Sequence, residues 1–373
     1  MTILVTPGAG STLGSIDHDV SIRDVKRQFI DVENFVLRNG KTISKLRVAY
    51  ETYGNLSPEK TNAILVCHGY MGSQHAAGIY APGNAPPGVE EDEPGWWDHL
   101  IGPGRAIDTD KFFVIASNML GSSYGTTGPA SIDADTNRPY GPSFPEISML
   151  DIVDAQRALL QALEIHHLVA IAGWSYGGYI AFQWAVAYPA MMDGIIVAAS
   201  SPKGIGNDSG VIRLIDQFRR DSHWNDGWYY DNGGVAETMV DVRMSSLQRY
   251  GIENHLMDKY PRKDERIKAL QDIATTWASA FDANSLIVLR RAADFYDAER
   301  DFRKIKAKVF YVLATTDTLF PPAIARDVMN RLKANLVDAS YFELKTDKGH
   351  LGPAVDARKW AGELRAFLAQ LGR

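Results

Sequence analysis

Residues 168–178 read Leu-Val-Ala-Ile-Ala-Gly-Trp-Ser-Tyr-Gly-Gly. An apolar run of strand length leads into Ser175, which has glycine two positions before it and two after it. Residues 179–188 then continue at helical spacing until Pro189 stops them. Gly173-Trp174-Ser175-Tyr176-Gly177 is therefore Gly-x-Ser-x-Gly in a strand–turn–helix setting. A turn that tight forces the serine into a strained backbone conformation. Side chains at Gly173 and Gly177 would collide with the neighbouring strand and helix. The hydroxyl is left exposed at a helix N-terminus, whose amides favour developing negative charge. The bare pattern also serves plain strand-to-helix turns, so its weight rests on what surrounds it.

Outward from that turn, apolar runs alternate with helical segments. Residues 62–67 and 112–116 read as buried strands, residues 45–50 as a strand-like piece, and residues 195–198, 309–314 and 340–344 as further strands. Helices are expected at 147–163, from about Ala323, and around Trp360, Leu364, Phe367 and Leu371. Residues 81–95, rich in Pro, Gly and acids, read as a loop. This alternation argues an α/β fold with a mostly parallel sheet covered on both faces. Between about 203 and 300 the strand runs vanish and helical segments rich in Trp, Tyr and charge replace them. The expected division is a core over 1–202, a helical lid over 203–300, and a return to the core over 301–373.

The chain has 373 residues, 45% hydrophobic and 23% charged, with 39 basic and 45 acidic side chains and a net charge of −6. That composition suits a globular protein and disfavours nucleic acid or anionic membrane as partner. The first residues lack the charged and apolar regions of a signal peptide, and no apolar run reaches membrane-spanning length. Cys67 is the single cysteine and cannot form an internal disulfide. These features fit a cytoplasmic location. The glycine-rich stretches 8–15 and 204–210 lack the lysine of a phosphate loop and the spacing of a dinucleotide loop, respectively. No cofactor or metal is expected.

A serine hydroxyl needs a base in hydrogen-bond reach and a carboxylate to orient that base. Asp317 follows the strand at 309–314 and His350 follows the one at 340–344, giving the order Ser175, Asp317, His350 of an α/β-hydrolase. Asp347, Asp297 and Asp301 are weaker candidates by position. His68 and His75 have no third ligand spaced for a metal, and His166 and His167 sit in a helix-to-strand turn. Two oxyanion donors are expected from the backbone N–H groups of Tyr70 and Tyr176.

Residues 48–54 (VAYETYG), Pro94-Gly95-Trp96-Trp97-Asp98, residues 101–104 (IGPG), Asp108-Thr109-Asp110, Ser117-Asn118, residues 125–129 (GTTGP) and Pro139-Tyr140-Gly141 are more specific than the serine motif. On these strings the chain resembles the homoserine O-acetyltransferase superfamily of α/β-hydrolases from about residue 30 onward. The resemblance implies a Ser-Asp-His triad at Ser175, Asp317 and His350, a helical lid, and a homodimer assembled through that lid. The transferases usually follow the catalytic histidine with aspartate, the nucleophile with methionine, and carry an early lid arginine for the amino acid's carboxylate. Here Leu351 and Tyr176 take the first two places, and Arg213 does not align securely with the third. A zwitterionic acceptor in a dry pocket needs both opposite charges. The expectation is therefore a hydrolase of small acetate esters, ahead of a homoserine O-acetyltransferase using acetyl-CoA and a non-catalytic binding protein. Trp224, Trp228 and Trp277 are expected in the lid's own core more than in an acyl pocket.

Overall fold

A computed structural model describes residues 22–371. The stretch 8–15 and the N-terminal residues read for a signal peptide lie outside the described residues. Eight strands form the central sheet: β1 (Gln28–Val36), β2 (Thr42–Tyr53), β3 (Ala63–Cys67), β4 (Phe113–Ser117), β5 (Leu168–Trp174), β6 (Met192–Ala198), β7 (Lys308–Ala314) and β8 (Ala339–Leu344). Their order across the sheet is β1-β2-β4-β3-β5-β6-β7-β8, and β2 alone runs against the others. Two further two-stranded pieces, Ile101–Gly102 with Ile107–Asp108 and Ile132–Asp133 with Arg138–Pro139, lie outside it.

The inner strands are almost entirely apolar because both faces are covered. In β3, Ala63, Leu65 and Cys67 join the core on one face, while Ile64 and Val66 join the core on the other. Helix α1 (Met149–Ala162) starts at Ser148, whose hydroxyl and backbone N–H share a capping box with Asp151. Helix α2 (Tyr176–Ala187) is buried almost throughout, packing against β5 and β6. It begins three residues earlier than the apolar spacing indicates, because Gly177 and Gly178 read as turn formers although both are helical here. The front of the chain differs more. Strand β2 is twelve residues long and pairs with β1 as a hairpin, where the apolar pattern indicates only the short piece at 45–50. The exposed Thr42, Lys45 and Arg47 break the apolar run without breaking the strand.

Between β6 and β7 the chain forms five helices: α3 (Ser209–Phe218), α4 (Ala236–Arg249), α5 (Ile252–Lys259), α6 (Lys263–Ala278) and α7 (Ala283–Asp294). Phe218, Trp224, Tyr229 and Tyr230 stack in series inside this insertion. Trp224 is thus insertion core, as the composition indicates, whereas Trp228 is partly exposed beneath Arg138. Helices α8 (Ala325–Ala334), α9 (Gly352–Val355) and α10 (Ala361–Leu368) complete the return. Among the described residues, no helix is long and apolar enough to cross a membrane. The chain leaves β3 for β4 on one side and later places β5 on the other. That reversal opens a crevice beyond the strand ends, where ligands of such sheets bind.

Candidate active site

Ser175 sits in that crevice, between the end of β5 and the first residue of α2, with φ 57° and ψ −118°. A non-glycine residue there costs on the order of 1–3 kcal/mol and persists only where its surroundings enforce it. The glycines show how. A Cβ built on Gly173 would stand 2.0 Å from the Gly177 carbonyl oxygen, and one on Gly177 would stand 2.0 Å from that of Cys67. Gly178, outside the five-residue motif, is as tightly placed, 2.4 Å from the Ser200 Cβ.

The structure brings Ser175, His350 and Asp317 together. His350 Nε2 lies 2.8 Å from Ser175 Oγ, and His350 Nδ1 lies 2.8 Å from Asp317 Oδ2. A neutral imidazole with its proton on Nδ1 donates to Asp317 and leaves Nε2 to accept the serine proton. Asp317 is 2% exposed. Burial pushes its carboxyl upward, but the adjacent imidazole and the amides of Leu319 and Phe320, both donating to Oδ1, hold it below the ordinary value. Rings of Tyr250, Phe320 and Trp174 surround the imidazole with centroids 5.0–5.9 Å away.

The loops carrying Asp317 and His350 are laced together by residues that belong to no sequence motif. Thr315 Oγ1 donates to the Thr346 carbonyl at 2.7 Å and accepts from the Thr346 amide at 2.9 Å, while Thr316 Oγ1 accepts from the Gly349 amide at 3.0 Å. Asp347 is exposed and Asp297 and Asp301 pair with Arg300 and Lys304, so none of the competing acids reaches the histidine.

The loop after β3 passes the serine closely: a Cβ on Gly69 would lie 3.6 Å from that of Ser175. Neither the Tyr70 nor the Tyr176 amide donates to another described backbone group. Their side chains anchor both segments to α7. The Tyr70 hydroxyl donates to the Leu286 carbonyl, the Tyr176 hydroxyl donates to that of Leu289 at 3.0 Å, and the two rings stack at 6.0 Å.

The surrounding pocket is lined from both parts of the chain, including Trp96 and Leu351 from the core and Arg243, Tyr250 and Trp277 from the insertion. Trp277, expected as insertion core, is buried yet reaches the pocket, its indole N–H donating to the Met71 carbonyl at 3.1 Å. Arg213 lies elsewhere, on an outer surface of the insertion. His75 is a pocket-wall residue. Its Nδ1 meets Glu51 Oε2 at 2.9 Å and its Nε2 meets the Glu93 carbonyl at 3.2 Å. Both partners are acceptors, an arrangement that favours the doubly protonated ring. Burial opposes that charge, and the buried Glu51 carboxylate overcomes it and raises the pKa. Tyr53 and Tyr80 also donate to Glu51. His68 is buried between the Gly69 carbonyl and Asn118, with burial pushing its pKa down to about 4. His166 is exposed and His167 pairs with Asp193. Cys67 is buried beside Gln156, its thiol pushed up to about 12 by burial. No group of His, Cys, Asp or Glu among the described residues could hold a metal ion.

The α/β-hydrolase fold family matches this chain over residues 62–356, and the chain belongs to that family of enzymes. It is 34% identical over 374 residues to a homoserine O-acetyltransferase of Deferribacter desulfuricans, covering 94% of this chain and 97% of that one. A homoserine O-acetyltransferase of Methanosalsum zhilinae is 36% identical over 343 residues, 85% of this chain and 67% of the relative. These place the chain in the homoserine O-acetyltransferase superfamily. Among solved structures, esterase E22 superposes with a TM-score of 0.83 at 30% identity over 92% of this chain and 100% of its own. The homoserine O-acetyltransferase of Bacillus anthracis does so with a TM-score of 0.83 at 28% identity, over 93% and 98%.

Proposed function

We propose that this enzyme works through an acyl-serine: Ser175 takes a short acyl group from an ester or thioester and passes it to a hydroxyl acceptor. The observation that carries this reading is the Asp317–His350–Ser175 relay, with 2.8 Å at each step, facing a pocket. His350 Nε2 accepts the Ser175 proton as Oγ attacks the acyl carbonyl, and the Tyr70 and Tyr176 amides receive the oxyanion. Collapse of the tetrahedral intermediate breaks the bond to the leaving oxygen or sulfur, which takes its proton from His350. The acceptor hydroxyl then loses a proton to His350 and attacks the acyl-serine, and the proton returns to Ser175 Oγ.

The names of the sequence relatives support homoserine as acceptor and acetyl as acyl group. Hydrolysis, with water as acceptor, is a second reading. Leu351, fully buried in the pocket wall beside His350, favours it, because a leucine offers no charge to an amino acid's ammonium, and the resemblance to esterase E22 is consistent with it. One experiment separates them: acetyl-CoA with homoserine and ethyl acetate in water are supplied in parallel to the same preparation. Product from the first at a higher kcat/KM supports transfer; product only from the second supports hydrolysis. In either case Ser175→Ala should lower turnover by on the order of 10⁶. Activity within tenfold of the native enzyme would overturn the assignment of the nucleophile.

A further inference from the structure

The loop between β8 and α9 that carries His350 is fastened to the insertion by a buried lysine two residues before the histidine. Lys348 is 7% exposed. Its ammonium donates to the Asn254 carbonyl at 3.0 Å and to Asp258 Oδ2 at 2.6 Å, both on α5, and Asp347 Oδ1 lies 3.5 Å away. In return, Asn254 Nδ2 donates to the Asp347 carbonyl at 2.7 Å. Backbone packing closes the same seam. Gly349, at φ 58°, stands against the corner between α4 and α5, where an added Cβ would lie 2.7 Å from the Tyr250 carbonyl oxygen and 3.3 Å from the Gly251 Cα. Residues 347, 348 and 349 thus each touch the insertion, and the next residue is the base. Tyr250, at that corner, also sets its ring 5.0 Å from the imidazole. The core grips the loop from its other side. Thr316 Oγ1 accepts from the Gly349 amide, Thr346 Oγ1 accepts from the Lys348 amide, and the His350 carbonyl accepts from the Trp174 indole at 3.2 Å. Burial opposes the charge on Lys348, and Asp258 and Asp347 overcome it and raise its pKa. Both carboxylates remain exposed, and a pair so placed adds little net stability. What it does fix is the register between the loop and the helix.

We propose that Lys348 is a positioning residue for the general base: by tethering the histidine loop to α5, it makes the reach of His350 Nε2 to Ser175 depend on the insertion being seated on the core. The insertion then has two tasks, walling the pocket and holding the base. The proposal rests on the acyl-serine reading, in which His350 moves the proton in both half-reactions. With 2.8 Å on each side of the imidazole, little slack is tolerated, since a misplacement of about 1 Å costs about 10² in rate.

The test reads kinetics and the hydrogen bond of the base separately. Turnover of p-nitrophenyl acetate is measured alongside the low-field proton resonance of the His350–Asp317 bond, assigned by its absence in His350→Gln. Lys348→Met should lower kcat by about tenfold to a hundredfold with KM within about twofold of native, and should broaden the resonance through exchange with water. Lys348→Arg, which keeps a donor for the same acceptors, should restore part of both. Asp258→Ala should act in the same direction, and the double variant Lys348→Met/Asp258→Ala should be no slower than Lys348→Met, because the two groups form one tether. Native kcat and an unbroadened resonance in Lys348→Met, with or without a lower melting temperature, leave the lysine merely structural and overturn the proposal. Losses that multiply in the double variant overturn it too, since Lys348 would then act without α5. If Lys348→Met does not fold, Lys348→Arg and Asp258→Ala decide by the same two readouts. A resonance that broadens in Lys348→Met, with no ester turned over by the native protein, would sink the acyl-serine reading and leave the tether standing. Native turnover that is indifferent to Lys348 would sink the tether alone.

Discussion

Substituting Gly177 by alanine tests whether the serine turn is held by contact. The new Cβ would lie 2.0 Å from the Cys67 carbonyl oxygen and 2.6 Å from its carbon. Real Cβ atoms do not approach closer than 3.0 Å, so 3.0 − 2.0 leaves a displacement of 1.0 Å to be found. Neither partner yields as a flexible side chain could, because the Cβ is fixed to the backbone of α2 and the Cys67 carbonyl is itself backbone at the end of β3. The movement must shift the N-terminus of α2 against the loop that carries Gly69 and Tyr70. Overpacking of this kind costs about 1–3 kcal/mol, and a misplacement of about 1 Å at a reacting centre costs about 10² in rate. The assay is kcat on p-nitrophenyl acetate, normalised to the fraction labelled by a fluorophosphonate, with a thermal melt alongside. Gly362→Ala is the control, since nothing lies within 4 Å of its added Cβ in α10. At that exposed position of the helix the same change should stabilise by about 0.5–1 kcal/mol. Native kcat and melting temperature in Gly177→Ala would refute the steric account of the turn.

Asp317→Asn should keep the fold and lower kcat by about 10⁴, because an amide no longer holds the imidazole in the tautomer that accepts at Nε2; a loss under tenfold would remove Asp317 from the relay. Thr315→Val removes the paired hydrogen bonds to Thr346, so a melt should show a loss of about 1–3 kcal/mol, and an unchanged melt would show that the two loops hold without them. His75 is predicted to stabilise the protein more in acid than in base. Its folded pKa lies above the ordinary imidazole value, so its contribution is complete below about pH 6.5 and fades as pH rises through the folded value. The melting difference between native protein and His75→Gln should shrink accordingly from about pH 6 to about pH 9, and a constant difference would contradict the doubly protonated ring.

The inner strands, the serine turn and the later positions of Asp317 and His350 were legible in the sequence, and the edge hairpin of β1 and β2 was not, for one reason. Continuous apolar runs such as residues 63–67 have few alternatives once both faces of a sheet are covered, and in a known sheet order the end of each strand marks where a side chain can enter the crevice. The site residues that were not legible lack any local signature. Arg243 stands in a helix rich in polar residues, where an arginine ordinarily faces water, and only the fold of the insertion over the crevice buries it. Thr315 and Thr346 are ordinary loop residues until two loops 31 positions apart meet. Glu51 lies one residue past the strand-like piece at 45–50 with nothing in its neighbours to mark it, yet it is the buried acceptor for Tyr53, Tyr80 and His75.

Mass spectrometry of the intact protein, quenched within the first turnovers of p-nitrophenyl acetate, tests the acyl-serine most directly. A mass increase of one acetyl group, mapped by peptide digestion to Ser175 and absent in Ser175→Ala, is the predicted result. Release of nitrophenol with no acetylated protein at any quench time, or with the acetyl group on another side chain, would contradict it.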